Sequence, residues 1–258
     1  MIDLHAHILP EIDDGADSFE QSLDMARIAI QEGIEIMAAT YHLLDLKNMD
    51  SLLKKVQEQK KELEAQLRQH NIDLEIITGA EVYISPILMD KKDFSGISIN
   101  GSRYLLMELP MGDIPNYTED VIYRLRLRGV VPVIAHPERN IRIQEDPNRY
   151  YELVDLGALG QVNTGSICGR FGSRVQKCAH ILIEHNLVHV LGTDAHSSGT
   201  RSPRMREAIR LISKLFGEEQ ATQMAVHRPQ AIIEDRILEG LLEPEKYKKP
   251  NPLFFWKK

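Results

Sequence analysis

Short apolar runs with strand character alternate with amphipathic helical runs along the whole 258-residue chain, and this alternation limits the fold more than any other feature. Ile2 to His5 reads as a strand. A helix opens at Asp17-Ser18-Phe19-Glu20, with Asp17 or Ser18 as N-cap, and stops at Gly33. Further strands are predicted at Ile34 to Ala39, Leu74 to Glu81, Tyr104 to Leu109, Val130 to His136, Leu159 to Asn163 and Val188 to Thr193. Between them lie a polar helix over residues 50–70, striped by Leu52, Val56, Leu63 and Leu67, an irregular segment through Gly101, and a helix ending at Gly129. A further helix precedes Val188, and two more near 202–216 and 218–239 complete the pattern. Alternating β and α elements predict a parallel sheet. About seven strands, most of them ending in a polar candidate ligand, suit a closed or distorted barrel better than an open sheet. An open sheet would gather its site at one switch point beside a Gly-rich phosphate turn. Neither G-x-G-x-x-G nor a P-loop is present, and no repeat or linker divides residues 1–258, so a single α/β domain is expected.

The strand ends carry the chemistry. In Asp3-Leu4-His5-Ala6-His7 the two histidines are spaced to share one face of a strand, and Thr193-Asp194-Ala195-His196 returns the same spacing after an apolar run. Glu81, Glu108 and His136 also close apolar runs, and His42 follows the second strand by a few residues. Asp14 sits in an Asp-Asp-Gly stretch that is equally readable as a simple turn, and Asp13 beside it could serve instead. The nine candidate ligands are therefore His5, His7, Asp14, His42, Glu81, Glu108, His136, Asp194 and His196. All are imidazole or carboxylate, a set that suits Mn, Fe or Zn and disfavours a Cys-rich zinc site or an all-oxygen calcium loop. Nine donors exceed what one tetrahedral ion needs, which implies two or three ions bridged by carboxylates, the arrangement used for in-line attack on phosphorus. A histidine standing alone is more often structural, and His70, His180, His185, His189 and His227 are read that way.

Composition sets the boundaries. A 43% hydrophobic, 27% charged chain is an ordinary globular protein, and its net charge of −7 gives no footing for nucleic acid or an anionic membrane. With the candidate metal motif starting at Asp3, no leader is expected, and no apolar stretch reaches the ~18 residues of a membrane span. Two cysteines, Cys168 and Cys178, make no disulfide framework, and a cytoplasmic location follows as an expectation.

Taken together, Met1-Ile2-Asp3-Leu4-His5-Ala6-His7-Ile8, Asp13-Asp14-Gly15, Gly79-Ala80-Glu81, Glu108-Leu109-Pro110, His136-Pro137-Glu138-Arg139 and Gly192-Thr193-Asp194-Ala195-His196 resemble the polymerase-and-histidinol-phosphatase (PHP) superfamily of metallophosphoesterases. Within it the likeness is to bacterial protein-tyrosine phosphatases of capsule and exopolysaccharide operons, and it spans essentially the whole chain. Tyr41-His42-Leu43-Leu44 departs from the family by replacing a more polar stretch. The resemblance implies a distorted seven-stranded, TIM-like β/α barrel and manganese as activator. It implies one ion on His5, His7, Glu81 and Asp194, a second on Glu81, Glu108 and His136, and a third on Asp14, His42 and His196. It also implies a substrate: phosphotyrosine on the tail of an autophosphorylating bacterial tyrosine kinase that controls polysaccharide export.

Elementary chemistry supports this reading. Phosphate monoester hydrolysis leaves an enzyme up to ~10²¹-fold to supply, and bridging ions both acidify water toward pKa ~7 and neutralise phosphoryl oxygens. Arg139, three residues after His136, and Arg201, seven after Asp194, are placed to add guanidinium forks for the phosphate; the plainer reading of each is a surface ion pair. An aryl phosphate leaves more easily than an alkyl one, because a phenol has a pKa of ~10. Two other readings stay open: a histidinol-phosphate-type small-molecule phosphatase on the same site, and a non-catalytic regulator that binds phosphotyrosine. Cys168 to Arg174 also satisfies C-x₅-R, the spacing of cysteine-dependent tyrosine phosphatases, but Ile167 precedes the cysteine and the glycine falls at the fourth position after it. A strand-to-helix loop capped by Ser166 or Ser173 accounts for that segment. The tail Pro252 to Lys258, with Trp256, Phe254 and Phe255, reads as packing on the barrel or contacting a partner, and Lys54, Lys55, Lys60 and Lys61 as a solvated helix face.

Overall fold

The structure is a computed structural model that describes residues 1–249; the aromatic tail at 252–258 lies outside the described residues. Among the described residues seven strands join in chain order: β1 (Ile2–Ala6), β2 (Ile36–Leu43), β3 (Glu75–Tyr83), β4 (Tyr104–Glu108), β5 (Val131–Ala135), β6 (Leu159–Asn163) and β7 (Val190–Gly192). Every neighbouring pair is parallel, as β–α alternation requires. The ring closes without a regular ladder. An isolated bridge pairs Ala6 with Ala195, the Asp194 N–H donates to the His5 carbonyl at 2.7 Å, and the His7 N–H donates to the Ala195 carbonyl at 2.8 Å. Thr193 completes the seam, its N–H and hydroxyl donating to the buried Asp3 carboxylate at 2.9 and 2.5 Å. The product is the distorted seven-stranded β/α barrel that the sequence led us to expect.

Helices wrap the outside. In α1 (Phe19–Glu32) it is Ser18, not Asp17, that caps, accepting from the Gln21 N–H, and Gly33 ends the helix at φ 85°. The next helix, α2 (Met49–Gln69), buries Val56, Leu63 and Leu67, while Leu52 is only partly covered. The remaining connections are α3 (Thr118–Leu127), α4 (Ile141–Glu145), α5 (Asn148–Asp155), α6 (Thr164–Ile167), α7 (Ser173–Glu184), α8 (Arg206–Phe216), α9 (Glu218–Thr222) and α10 (Arg228–Ile233).

Three expectations need correction. The second strand is longer and shifted, so His42 lies inside β2 rather than beyond it; pairing with β3 runs unbroken through His42 and Leu43 and carries the ladder outward. The helix expected over 218–239 is broken by a π-helical turn at Gln223–His227, resumes as α10 with Pro229 in its first turn, and ends at Ile233. Neither Ser166 nor Ser173 caps α7: Ser166 lies within α6, Ser173 is already helical, and the N-cap is Gly172 with no side-chain bond.

Period-two alternation gives each strand one shared face, and position along that face divides the barrel along its axis. On β2 Ala38 and His42 share a face, as do Ile77 and Glu81 on β3 and Leu106 and Glu108 on β4. Ala38, Ile77, Leu106, Leu159, Val133 and Val190 gather in one buried apolar cluster that Ile232 joins. The segment after α10 closes this end, where Leu238 and Leu241 pack, Tyr104 donates to the Arg236 carbonyl at 2.6 Å, and Arg103 pairs with Asp235 at 2.9 Å. The polar residues of that same face emerge at the opposite, C-terminal mouth.

Candidate metal centre

The mouth brings all nine candidate ligands together around one carboxylate. Glu81, on β3, is fully buried, and its Oε2 lies 3.2 Å from His5 Nε2, 3.3 Å from His7 Nε2 and 3.2 Å from His42 Nδ1. Its other oxygen is 2.8 Å from His136 Nε2, which is also 3.9 Å from Glu108. Asp194 Oδ1 lies 3.7, 3.6 and 3.4 Å from His5, His7 and His196. Asp14 reaches His42 at 3.3 Å and His196 at 3.4 Å from the open side, its side chain 66% exposed. Three sets of donor atoms converge closely enough to hold a cation: His5, His7 and Glu81; His42, Glu81 and Glu108; and His7, Asp14, His42 and His196. Compared with the grouping that the resemblance implied, His42 also stands beside Glu81 and Glu108, and His7 also stands beside the Asp14 group.

Local backbone aims these side chains. His136 and Asp194, which follow β5 and β7, adopt left-handed conformations at φ 35° and 53°, where residues with a Cβ are strained. Gly15 is required by close approach, since a Cβ there would meet the His7 carbonyl oxygen at 2.2 Å. That contact folds the Asp13-Asp14-Gly15 turn over the histidine and separates the two acids. Asp13 turns inward, accepting from His7 Nδ1 at 2.8 Å, the His42 N–H at 2.9 Å and the Gly15 N–H at 3.0 Å. It orients His7, and Asp14 faces the cluster.

Hydrogen-bond direction fixes the tautomers. Asp194, held below the usual carboxylate range because His5, His136 and Arg201 outweigh its burial, can only accept, so Asn163 presents its amide Nδ2 to it at 2.7 Å. Asn163 Oδ1 must then accept from Gln161 Nε2 at 2.9 Å, which leaves Gln161 Oε1 to accept from His5 Nδ1–H at 2.8 Å. By the same logic Asp13 draws the proton of His7 onto Nδ1. In the neutral imidazoles both Nε2 atoms are therefore bare lone pairs, 3.2 Å apart, and they face Glu81 Oε2, a buried oxygen that receives no hydrogen bond. Such an arrangement demands positive charge at its centre. Without a cation a proton must provide it: burial alone would depress His7, yet Asp13 and Glu81 push it up to about 10, and His5 is also raised against its burial by Glu81 and Asp194. Glu108 is pushed above its ordinary value by burial and by Glu81, as expected of carboxylates crowded together without a cation between them. Oxygen and imidazole donors, tautomers that point lone pairs inward and an orphaned buried oxygen all fit divalent ions.

Arg139 and Arg201 overhang the same point, donating to Asp194 at 2.7 and 2.8 Å. The Arg139 guanidinium lies 4.9 Å from the Phe171 ring centroid, and Arg201 Nε is buried without a hydrogen-bond partner. A cavity of about 650 Å³ opens beside Asp194 and Arg201, with Phe171 in its wall. Sequence reasoning offered Asp13 as an alternative ligand rather than as the residue that orients His7, and it missed Gln161, Asn163 and Phe171. The one available signal was that Gln161 and Asn163 interrupt an apolar strand at alternate positions.

The cysteine alternative fails on its environment. Cys168 caps the C-terminus of α6, and burial, with Glu207 nearby, pushes its thiol up to about 11, the reverse of an activated thiolate. Cys178 is buried, and both cysteines are free. No helix among the described residues is long and apolar enough to cross a membrane.

Comparison with known proteins places this geometry. A family profile described as "Capsular polysaccharide synthesis, CpsB/CapC" matches residues 1–234. The tyrosine-protein phosphatase YwqE of Bacillus subtilis (strain 168) is 35% identical over 252 residues, covering 96% of this chain and 98% of that protein. The tyrosine-protein phosphatase CpsB of Streptococcus pneumoniae is 30% identical over 245 residues, covering 92% and 100%. The fold also matches, with a TM-score of 0.87 and 34% identity over 96% of this chain and 100% of the other, a chain from crystal structures of YwqE and CpsB described as "unique metal-dependent tyrosine phosphatases".

Proposed function

This chain belongs to the CpsB/CapC family of capsular polysaccharide synthesis, and from that premise we propose that it is a metal-dependent protein-tyrosine phosphatase acting as a single domain. The observation that carries the reading is the convergence of His5 Nε2, His7 Nε2 and the unbonded Glu81 Oε2 within 3.2–3.3 Å of one another, each orientation forced by its neighbours. We assign His5, His7, Glu81 and Asp194 to one ion, Glu81, Glu108 and His136 to a second, and Asp14, His42 and His196 to a third. Manganese is the proposed metal, with two or three ions bound and iron or zinc as substitutes. When bound, these ions supply positive charge to the phosphoryl oxygens and acidify the attacking water.

The chain's own residues do the rest. Asp13 and the Gln161–Asn163 relay keep His7 and His5 from rotating or taking the wrong tautomer, so that no reorganisation is needed as charge develops. Arg139 and Arg201, already turned toward the centre by Asp194, are positioned to receive phosphoryl oxygens, and the Phe171 ring backs the Arg139 guanidinium at 4.9 Å. The tyrosyl leaving group departs with a pKa of ~10 and needs little general-acid help. The physiological substrate we propose is a phosphotyrosine-bearing protein, namely the tail of a bacterial tyrosine kinase controlling capsule or exopolysaccharide synthesis, met in the cytoplasm.

Metal analysis of the purified protein, paired with hydrolysis of phosphotyrosyl peptide, phosphoseryl peptide and histidinol phosphate with and without chelator, tests this reading. We expect at least two divalent ions per chain, chelator-sensitive turnover and the highest kcat/KM on phosphotyrosine. Equal rates on all three substrates, or full activity in excess chelator, would remove it.

A further inference from the structure

We propose that an arginine-lined trough running from the metal centre to the start of α8 binds an anionic side chain close in sequence to the phosphotyrosine of a protein substrate. This rests on the phosphatase reading and adds a sequence preference to it. The cavity beside Asp194 and Arg201 is also lined by Arg170 and Arg204. Those two arginines are shared with a second cavity, of about 300 Å³, which continues to Arg206 and Arg210. The same groups therefore border both hollows, and Phe171 stands at their centre-facing end.

Charge in the trough is lopsided. The second cavity sets four guanidiniums against two carboxylates, Glu32 and Glu207, in a chain whose net charge is −7. Glu207 partners Arg170 at 3.3 Å. Glu32 directs its carboxylate to the backbone N–H groups of Met205 and Arg206, at 3.2 and 2.9 Å, and so neutralises the guanidiniums only in part. Arg206 Nε donates to the Glu32 backbone carbonyl at 3.1 Å, and Arg204 Nε to the Ser202 hydroxyl at 3.1 Å. Neutral acceptors thus hold two of the four cations, and each keeps further donors to offer.

An extended peptide advances ~3.3 Å per residue, so a chain whose phosphotyrosine enters the centre presents its near neighbours to the trough. Guanidinium forks match carboxylate and phosphate alike. The ligand chemistry is therefore an anionic side chain, either Asp or Glu or a second phosphotyrosine. Exposed pairs of this kind are individually weak, so the expected effect is about threefold to tenfold in KM rather than orders of magnitude.

The test uses the metal-loaded full chain with monophosphotyrosyl peptides whose flanks are neutral, acidic or basic, and with a peptide carrying two neighbouring phosphotyrosines. Wild type is compared with Arg170→Ala/Arg210→Ala and with Arg170→Lys/Arg210→Lys. Binding of non-hydrolysable phosphonate versions is measured in parallel. We expect acidic or doubly phosphorylated peptides to show KM about threefold to tenfold below the neutral peptide, at similar kcat, with the advantage shrinking at high salt. The alanine pair should reduce that preference below twofold, and the lysine pair should retain part of it. The better of the two anionic peptides identifies the source. Equal KM across all flanks, or a preference that survives the alanine pair, overturns the trough while leaving the phosphatase reading intact. Absence of turnover on every peptide, with the phosphonates still showing the acidic preference, would instead remove the phosphatase reading and leave the trough.

Discussion

The two ends of the barrel are made from the same strands, yet they solve opposite problems. At the floor, Ala38, Ile77, Leu106, Val133 and Val190 pack as one apolar cluster beneath Ile232, and this burial stabilises the fold. At the mouth, positions farther outward on those strands or just beyond them are Glu81, Glu108, His42, His136 and Asp194, whose mutual crowding costs stability until positive charge arrives. A single alternation can thus serve packing at one end and chemistry at the other, and the two should separate under mutation.

The sharpest break lies at the mouth. Glu81→Gln removes the charge that four imidazoles face, and we expect kcat/KM to fall by about a thousandfold or more together with the metal content, with little loss in the denaturation midpoint of the metal-free protein. Steady-state kinetics and metal analysis on one preparation check both halves. Arg139→Ala should cost about a hundredfold in kcat with a smaller change in KM, as for a group that acts mainly on the transition state.

At the floor the signature inverts. Leu106→Ala should lower unfolding free energy by about 3 kcal/mol in denaturant titration, while kcat per folded molecule stays within about twofold of wild type. A large fall in kcat would show that the two ends are coupled.

The floor also has its own titration. His189 is buried, accepts from the Gly160 N–H at 3.0 Å, and is held down at about 3 by burial and then by Arg228, against an ordinary 6.5. A depressed histidine favours the fold where it is neutral in both states. Its contribution is therefore complete above pH 6.5 and declines by about 1.4 kcal/mol per pH unit as the pH falls from 6.5 toward 3. His189→Gln takes up no proton, so its stability should fall less steeply over that range; parallel slopes in urea titrations at several pH values would contradict this. The smallest effect is expected from Cys168→Ser, within about twofold in kcat, since a thiol pushed up to about 11 contributes no thiolate near neutral pH.

Much of this was legible in the sequence, and the exceptions share a cause. Strand β6 falls at Leu159–Asn163 as expected, a short segment bounded by Gly157 before it and by the helical turn that starts at Thr164 after it. The nine candidate ligands stood out because histidines and acids rarely end apolar runs without reason. What escaped depended on which strands become neighbours. Gln161 and Asn163 matter only because β6 lies beside β7 and across from His5, a register no local pattern encodes. Asp13 and Asp14 are chemically equivalent in the sequence, and only the contact of Gly15 with His7 decides which one turns inward. His42 looked like a loop residue because β2 continues past its apolar stretch, sustained by pairing with β3. The helix expected through residue 239 stops at Ile233 because the chain leaves the helical path to cover the floor.

The seam between the first and last strands has a consequence for biosynthesis. Asp3 and Thr193 clasp across 190 positions, so Asp194 and His196 reach their partners only after nearly the whole barrel has been translated and folded. A nascent chain still lacking β7 offers a cation only a stub, the donor sets His5–His7–Glu81 and His42–Glu81–Glu108 without Asp194 or His196. Any ion that favours the finished cage over that stub draws the chain toward completion, and its retention becomes a molecular receipt that both ends of the polypeptide have met.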